Sequence, residues 1–451
     1  MKRLLEQELS IWLTRKGRKP LIIRGARQVG KSTLVRQFAK NHSLELVEVN
    51  LERNSYLNAV FKTKDLSKIL PELEVVAGKS LAAPNILLFL DEIQSTPEAI
   101  AALRYFYEEK PDLPVIATGS LLEFVLSDHQ FSMPVGRIEY LHAGPMTFRE
   151  FLMAIGEDYL LGLINQGEFL DLPESAHRNL LHLQRQYLFV GGMPESVLRF
   201  SETRSPVEVG KVHRSIIQTY EDDFSRYART DQNRELLEQF LRLVPNAMGR
   251  KVIYSRLFPH HRSGTVKKAI DLLVKARLLI PAYHSDGSGI PLAANENRSV
   301  YKLYFLDVGL MNSICKLEWS QISNFDERQL IHEGIIAEQF IAQHLAYHQY
   351  HQPMGAEAPE LHYWLRENRS QNAEVDFVVQ QGRRILPVEV KSGKSGRLKS
   401  LQQFLMNKSL NVALRFDLNQ PSRQDLSYET LHYTFHSWPL YLVERMDDLS
   451  A

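Results

Sequence analysis

One stretch near the amino terminus combines residue types and spacing that can hold a phosphate group. Residues 25–32 follow the pattern G-x-x-x-x-G-K-S, with an apolar run at 20–23 before it and a helix-like run at 33–40 after it. Glycines let such a loop turn successive backbone N–H groups toward one anion, and the helix start adds unpaired N–H groups. Lys31 can reach the β- and γ-phosphates, and the Ser32 hydroxyl can ligate Mg²⁺. The predicted nucleotide-binding residues are Gly25, Ala26, Arg27, Gln28, Val29, Gly30, Lys31, Ser32 and Thr33.

An acidic pair ends another apolar run about sixty residues later. Asp91, at the carboxyl end of a buried strand, would hold Mg²⁺ through water, and Glu92 would act as general base for the attacking water. The alternative is an ordinary acidic junction between a strand and a loop. Together with the glycine-rich loop, the pair predicts ATP and Mg²⁺ as cofactors and hydrolysis as the reaction.

Two later positions could act on the terminal phosphate. Thr118 and Ser120 follow an apolar run at 115–117, where a hydroxyl could sense the γ-phosphate or orient the water. A plain turn is the alternative. Arg137 could supply charge to a γ-phosphate, in the same chain or across a subunit interface, and equally it could be a surface salt-bridge residue. The second role requires a homo-oligomer, and the sequence leaves the oligomeric state open.

A second set of residues able to do chemistry lies late in the chain. Residues 373–379 read AEVDFVV and residues 387–392 read PVEVKS, which predicts two neighbouring strands. Residues two apart in a strand share a face, so Glu389 and Lys391 point the same way, and Asp376 can face them. Two carboxylates suit Mg²⁺, and a lysine beside them can polarise a phosphate or position water. The alternative is the polar face of an ordinary antiparallel hairpin.

Alternating strands and helices must position the first of these sites. Five short, nearly all-apolar runs, at 21–23, 44–49, 86–90, 115–118 and 138–141, are separated by helical runs. This pattern predicts a parallel sheet covered by helices on both faces, and therefore an α/β fold class. With 451 residues the chain is long enough for about three domains.

Residues 156–312 are predicted to form two further units. Residues 156–229 are mostly helical in pattern, broken by GGMP at 191–194, which puts Pro194 at the first position of the next helix. Residues 230–312 combine three helices with a β-hairpin, the pattern of a winged helix-turn-helix. The third helix carries lysines and follows a basic run at 260–262, so it could enter a DNA major groove. A winged helix used only for packing or protein contact is the alternative.

Composition limits the class of protein. A formal net charge of +1 excludes a chain that binds nucleic acid through its overall charge, so any such surface must be local. The single cysteine excludes a disulfide framework and fits a reducing compartment. The first 19 residues lack the continuous apolar segment of a signal peptide, and no run approaches the ~18 apolar residues of a membrane span. We therefore expect a cytoplasmic protein with no membrane partner.

The chain resembles the bacterial and archaeal P-loop ATPases of the AAA+/STAND kind that carry a carboxyl-terminal DUF4143 domain. The first 155 residues would be the AAA+-like ATPase domain and residues 156–229 a helical lid. The motifs that carry the resemblance are GARQVGKST at 25–33, FLDEIQ at 89–94, ATGS at 117–120, GR at 136–137, PMTFREF at 145–151, GGMP at 191–194, AEVDF at 373–377 and VEVKSG at 388–393.

The resemblance implies further roles for single residues. Residues 191–194 are similar to the STAND Gly-x-Pro motif, which implies that Pro194 contacts nucleotide. Residues 313–451 would adopt the PD-(D/E)xK nuclease fold, also called restriction-endonuclease-like. Its catalytic set would then be Asp376, Glu389 and Lys391, and Glu338 would join Asp376 and Glu389 as a metal ligand from an upstream helix.

Three hypotheses of function follow. The first is a Mg²⁺-dependent ATPase whose nucleotide state controls the winged helix and the nuclease-like domain. The second is a DNA nuclease regulated by ATP. The third is a nucleotide-switched module that binds DNA or a protein without cutting. The nucleic-acid target and the pathway are not encoded in these patterns.

Overall fold

A parallel sheet forms the centre of the amino-terminal part of the molecule. The computed structural model describes residues 1–120, 122–126, 134, 136–166, 169–228, 231–323, 333–347, 360–367, 372–393 and 398–450. The five strands of this sheet run parallel in the order β2-β3-β4-β1-β5. Their bounds are β1 (Leu21–Arg24), β2 (Glu45–Asn50), β3 (Ile86–Asp91), β4 (Val115–Gly119) and β5 (Glu139–His142).

Helices cover both faces of this sheet. Alternate residues of one strand enter different apolar cores: Phe89 belongs to one core, and its neighbours Leu88 and Leu90 belong to the other. The sheet is therefore buried on both sides, as the all-apolar strands require, and the α/β prediction is confirmed. The helices of this part are α1 (Glu6–Thr14), α2 (Lys31–Asn41), α3 (Leu57–Phe61), α4 (Leu66–Ala77), α5 (Pro97–Glu109) and α6 (Leu122–Leu126).

A helical segment follows the sheet. Its first helix begins with a capping box, in which the Thr147 hydroxyl accepts from the Glu150 backbone and the Glu150 carboxylate accepts from the Thr147 backbone. The boundary expected between residues 229 and 230 lies outside the described residues. The helices are α7 (Phe148–Ile155), α8 (Asp158–Asn165), α9 (Glu174–Val190), α10 (Pro194–Thr203), α11 (Pro206–Tyr227), α12 (Asp231–Leu243), α13 (Tyr254–Leu257) and α14 (Ser263–Lys275).

A hairpin then joins the middle of the chain to its last part. The hairpin strands are β6 (Leu279–Ser285) and β7 (Glu296–Phe305), and β6 also pairs in parallel with β8 (Leu361–Arg366). The resulting four-stranded sheet has the order β7-β6-β8-β9, where β9 is Ala373–Val375. The hairpin expected to belong to residues 230–312 therefore shares a sheet with strands of the carboxyl-terminal segment. The expected boundary after residue 312 also lies inside α15 (Val308–Ile314).

A second five-stranded sheet completes the molecule. It has the order β10-β11-β12-β14-β13 and mixes parallel and antiparallel pairs. Its strands are β10 (Phe377–Gln381), β11 (Arg384–Val390), β12 (Val412–Asp417), β13 (Ser422–Tyr428) and β14 (Leu431–Pro439), and the remaining helices are α16 (Trp319–Ser323), α17 (Glu333–Tyr347) and α18 (Lys399–Lys408). Among the helices that the structure describes, none has the length and apolar character to cross a membrane.

Candidate nucleotide site and carboxylate cluster

The glycine-rich loop connects β1 to α2 in a conformation that only glycine tolerates at two points. Gly25 has φ +150° and Gly30 has φ +86°. A Cβ on Gly25 would lie 2.1 Å from the Ala143 carbonyl oxygen, which follows the neighbouring strand β5. Any other residue at either position would strain the backbone. The loop can therefore take this shape only because the sequence has glycine at both positions.

Lys31 opens α2 and folds back over the loop. Its Nζ donates to the carbonyl oxygens of Gly25 (2.9 Å) and Ala26 (2.7 Å), and the side chain is buried. Burial lowers the pKa of Lys31 to about 8, although the nearby carboxylates of Glu92 and Asp91 oppose that shift. The ammonium group is thus held by weak neutral acceptors, which a phosphate can replace with a stronger anionic partner.

Asp91, at the carboxyl edge of the sheet, accepts hydrogen bonds from two hydroxyl groups of the site. Its Oδ1 accepts from the Ser32 hydroxyl at 2.9 Å and from the Thr118 hydroxyl. Strand β4 lies between β1 and β3, so Thr118 at its end comes between the glycine-rich loop and Asp91. The predicted residues Ser32, Asp91 and Thr118 are therefore in contact, and their oxygen donors fit a Mg²⁺ ion.

Glu92 follows Asp91 with a positive φ of 55°. Its carboxylate accepts from the Gln94 side-chain amide and, at 3.5 Å, from the Ser120 hydroxyl. The expected base therefore lies next to the polar end of β4. The sequence alone does not indicate this contact of Gln94, because an amide two residues after a carboxylate is a common pattern.

Helix α11 contacts the tip of the loop. Arg27 pairs with Asp223 at 2.7 Å, and the backbone oxygen of Arg27 accepts from the Tyr220 hydroxyl at 2.9 Å. Gln28 is exposed and donates to the Thr219 hydroxyl at 3.3 Å. The helical segment therefore reaches the nucleotide loop directly, through residues that no sequence motif singles out.

Two more side chains frame the other end of the loop. Arg3 donates to the backbone oxygen of Val29 at 2.9 Å and to the carboxylate of Glu150 at 2.9 Å. Pro194 lies beside Gly30, because its Cγ would be 3.3 Å from a Cβ at that glycine. Pro194 is thus placed next to the loop, whereas Thr33 lies on an exposed face of α2.

Arg137 lies on the other edge of the sheet. It precedes β5, whose first residue Glu139 pairs in register with Leu21, the first residue of the parallel strand β1. The loop follows the last residue of β1, roughly 13 Å away at ~3.3 Å per residue. Arg137 instead pairs on the surface with Glu108 at 3.0 Å. This placement does not support a role for Arg137 at the nucleotide of its own chain.

A partly buried ion triad, with side chains 13–15% exposed, links the loop to the hairpin segment. Glu123 forms an ion pair with Arg24, the residue before the loop, at 3.0 Å, and accepts from Arg277 at 2.8 Å. Burial opposes ionisation of Glu123, but the two arginines outweigh it and lower the pKa of the carboxyl group. Arg277 therefore does not belong to the exposed basic face of α14, which consists of Lys267, Lys268 and Lys275.

The residues predicted near the carboxyl terminus also come together. Asp376 lies at the bend between β9 and β10, and its Oδ2 accepts from the Val390 backbone at 2.8 Å. Lys391 pairs with Glu389 on β11. Glu338 reaches the same place from α17, as do two residues that the sequence did not indicate, Glu374 and Lys302. We call the set of Lys302, Glu338, Glu374, Asp376, Glu389 and Lys391 the carboxylate cluster.

Burial shapes the electrostatics of this cluster. Burial first, and then the neighbouring Asp376 charge, raise the pKa of Glu338 to about 8 and that of Glu389 to about 7. The Glu389 Oε2 atom is buried and has no hydrogen-bond partner among the described residues. Burial therefore makes ionisation of both carboxyl groups costly, which increases their need for a nearby cation.

In the described part of the chain, the cluster does not bring one oxygen from each of three carboxylates within 4.8 Å of one another. Within the described part of the chain, three metal-ligand groups with all donor atoms within 4.8 Å of one another occur only at Glu296, Glu360 and His362. Those two carboxylates already pair with Arg298. Glu338, Asp376 and Glu389, the three predicted metal ligands, share one cluster, and the Lys302 ammonium lies 3.9 Å from Glu338 Oε2 and 4.0 Å from Asp376 Oδ1.

A buried aspartate ties the Gly191–Pro194 turn to the segment that follows the hairpin. Asp307 accepts from the backbone of Gly192 at 2.6 Å and of Leu310 at 2.9 Å. The Gln343 side chain on α17 donates to the same carboxylate at 3.3 Å. Burial raises the pKa of Asp307 to about 6 even though these hydrogen bonds oppose it. A Cβ on Gly191 would lie 2.2 Å from Asp307 Oδ1, so the turn needs glycine there.

Comparison with known proteins agrees with this architecture. A family model described as an AAA domain matches residues 17–152, a domain of unknown function named DUF8612 matches residues 181–321, and another named DUF4143 matches residues 333–433. A search of curated proteins finds no significant match. The second model spans most of the helical segment together with the hairpin, which the sequence analysis divided into two units.

Three solved structures are similar to the chain at low identity. The Aeropyrum pernix ORC1 protein in complex with DNA has 12% identity and a TM-score of 0.25, covering 69% of this chain and 90% of that one. The Thermotoga maritima RuvB branch migration motor has 16% identity and a TM-score of 0.29, covering 61% and 86%. A Pyrococcus horikoshii STAND protein with a tetratricopeptide repeat sensor has 11% identity and a TM-score of 0.28, covering 76% and 44%. By the family models, the chain matches an AAA domain over residues 17–152 and a DUF4143 domain over residues 333–433.

Proposed function

We propose that the protein is a Mg²⁺-dependent ATPase. The observation that carries the proposal is the contact of Ser32 and Thr118 with Asp91 beside the glycine-rich loop and its buried Lys31. This arrangement offers backbone N–H groups, one cation and oxygen donors around a single point.

Each residue has a definable part in hydrolysis. Mg²⁺, held by the Ser32 hydroxyl and the Asp91 carboxylate, would supply positive charge to the phosphate oxygens. Lys31 exchanges its two carbonyl acceptors for phosphate oxygens. Glu92 takes a proton from water as the water oxygen bonds to the γ-phosphorus, and ADP leaves with the electrons of the broken P–O bond. The hydroxyl groups of Thr118 and Ser120, at the end of β4, sense the γ-phosphate or orient the attacking water.

Turnover of ATP by purified protein tests this assignment. Lys31→Ala is expected to abolish nucleotide binding or turnover, whereas Lys40→Ala, an exposed lysine on the same helix, is the matched control. Glu92→Gln is expected to retain ATP binding and lose at least a hundredfold in kcat, since a general base contributes ~10²–10⁴-fold. Unchanged turnover in Lys31→Ala would refute the proposal. Tight ATP binding with negligible turnover in the native protein would favour the non-hydrolysing switch instead.

The nucleotide state is proposed to control the carboxyl-terminal part of the chain. Support comes from a continuous set of contacts: Gly30 lies against Pro194, Gly192 bonds to Asp307, and Asp307 bonds to Gln343 on α17. Helix α17 also carries Glu338 of the carboxylate cluster. A nucleotide that moves the loop makes different contacts in the two conformations of the protein. Such a difference in contacts is what allows a ligand to shift the equilibrium between two conformations.

We also propose that α14 contacts DNA as part of a winged helix. Lys267, Lys268 and Lys275 are all exposed on this helix, and a hairpin follows it. Replacing Lys267 and Lys268 with Glu should weaken binding of duplex DNA at least tenfold and reduce the dependence of log Kd on log salt. The matched control replaces the exposed Lys62 and Lys110 with Glu. Equal loss in both double variants would show that general charge, not α14, is responsible.

Cleavage of DNA and assembly into oligomers are separate proposals. A nuclease of the PD-(D/E)xK type would use Asp376, Glu389 and Lys391, so incubation of native protein and Asp376→Ala with DNA and Mn²⁺ tests it. Equal DNA integrity in the two samples would end that proposal. Light scattering with and without ATP tests whether a homo-oligomer forms in which Arg137 could meet the nucleotide of a neighbouring copy. Cytoplasmic location remains our expectation from the composition.

A further inference from the structure

One buried lysine of the carboxylate cluster comes from outside the segment that matches DUF4143. Lys302 lies on β7 and is 1% exposed. Its Nζ contacts the Glu374 carboxylate and lies 3.9 Å from Glu338 Oε2 and 4.0 Å from Asp376 Oδ1. The ammonium group also lies 5.1 Å from the ring centre of Tyr363. Three carboxylates and one aromatic face therefore surround a single positive charge.

This surrounding explains why a lysine can be buried here. An unpaired ammonium in a protein interior is strongly unfavourable, whereas several carboxylates around it compensate for the lost hydration. The same reasoning applies in reverse, because Glu338 and Asp376 need a cation between them. Lysine is a compact point charge on a long apolar stem, so it can place that charge at the centre of a cluster.

We propose that Lys302 is the resident cation of the carboxylate cluster and excludes a divalent metal ion from it. The oxygens of Glu338 and Asp376 face Lys302 at about 4 Å rather than converging on one point, in agreement with the absence of a converged donor trio there among the described residues. Ligands of Mg²⁺ lie at ~2.1 Å from the ion, so metal binding would require the ammonium to leave. The proposal is independent of ATP hydrolysis, because no hydrogen bond or ion pair joins these groups to residues 25–33 in the part of the chain that the structure describes.

The position of Lys302 also links the cluster to the rest of the chain. Three residues further along β7, the Phe305 backbone is held on both sides by the Gln339 side chain of α17, at 2.7 Å each. Withdrawal of Lys302 would therefore need either a new side-chain conformation or movement of a strand fixed by α17. Residues 333–433 contain all four carboxylates of the cluster but not Lys302, so this segment alone would lack the proposed resident cation.

Titration with Mn²⁺ in the absence of nucleotide tests the proposal. All variants carry Asp91→Asn to remove metal binding at the nucleotide loop. Lys302→Met keeps the apolar stem and removes the charge, and Lys302→Arg retains the charge as the matched control. We expect Lys302→Met to bind one more Mn²⁺ ion than Lys302→Arg. The Kd of Mn²⁺ at this site should be at least tenfold lower in Lys302→Met than in the parent protein. Adding Asp376→Asn to Lys302→Met should abolish that site.

Two results would overturn the proposal. One is a Mn²⁺ site in the parent protein that is lost on Asp376→Asn, which needs no Lys302 variant to be measured. The other is a folded Lys302→Met protein, verified by circular dichroism, that gains no Mn²⁺. If Lys302→Met folds only when Mn²⁺ is added, the metal has replaced the missing charge, and the proposal is supported. If it fails to fold in either condition, Lys302→Gln takes its place in the same titration.

Discussion

Replacing Asp307 with Asn should make the stability of the protein less sensitive to pH. The carboxylate is fully buried, and its pKa is about 6 in the folded chain against an ordinary value of 3.8. The folded chain therefore binds this proton more tightly than the unfolded chain does. Stability from this group is greatest at low pH and declines as pH rises from about 4 to about 6, after which it is constant.

The size of the effect follows from the two pKa values. Between pH 5.0 and 7.5, the free energy of unfolding of the native protein should fall by about 1.4 kcal/mol relative to Asp307→Asn. Asparagine has the same shape but only one acceptor oxygen, so Gly192 or Leu310 loses a partner. That loss adds an offset of about 1–3 kcal/mol, which is common to both pH values and does not change the difference between them.

Urea unfolding of both proteins at pH 5.0 and 7.5 measures the difference. Asp65→Asn is a matched control, since Asp65 also caps a helix but is exposed and has a lowered pKa. Asp65 is ionised at both pH values. The difference in free energy of unfolding between the native protein and Asp65→Asn should therefore be the same at pH 5.0 and 7.5. The reasoning about burial would be refuted if the free energy of unfolding of the native protein, minus that of Asp307→Asn, were constant or increased from pH 5.0 to 7.5.

Three further predictions concern the nucleotide site. Glu123→Gln should lower the free energy of unfolding by about 2 kcal/mol, because Arg24 and Arg277 lose their shared carboxylate; a change below about 0.5 kcal/mol in urea unfolding would contradict the importance of this triad. Arg137→Ala should leave ATP turnover of the monomer within twofold of native, and a tenfold loss would contradict its placement at the far edge of the sheet. Pro194→Ala should raise the Kd of ATP about fivefold, equivalent to about 1 kcal/mol of apolar contact, whereas an unchanged Kd in calorimetry would show that this ring does not touch nucleotide.

The sequence predicted the parts of the site that lie in continuous motifs. The loop around Lys31 depends on local backbone geometry, and local geometry is encoded by neighbouring residues. Asp91 could be placed because a buried parallel strand must end at the same edge as the loop. The five strands were predicted to within one or two residues for the same reason, since an all-apolar run in a two-sided sheet has little freedom.

Long-range partners could not be predicted in this way. Arg3 and Asp223 reach the loop from distant segments, and each is a common residue type in an unremarkable local pattern. Lys302 is not predictable in this way, because the sequence pattern places its strand in a different unit from the carboxylates. The alternatives for Arg137 could not be separated from the sequence, because a residue before a strand and a residue after it look alike until the strand direction is fixed.

The pairing of β6 with β8 has a consequence for dividing the protein. These strands belong to segments that match different domain families, at residues 181–321 and 333–433. Expressing either segment alone would expose a strand edge that the other segment normally covers, and exposed edges promote aggregation. A chain cut by protease between residues 323 and 333 should accordingly stay together as two fragments on a gel-filtration column, and separate only when the protein unfolds.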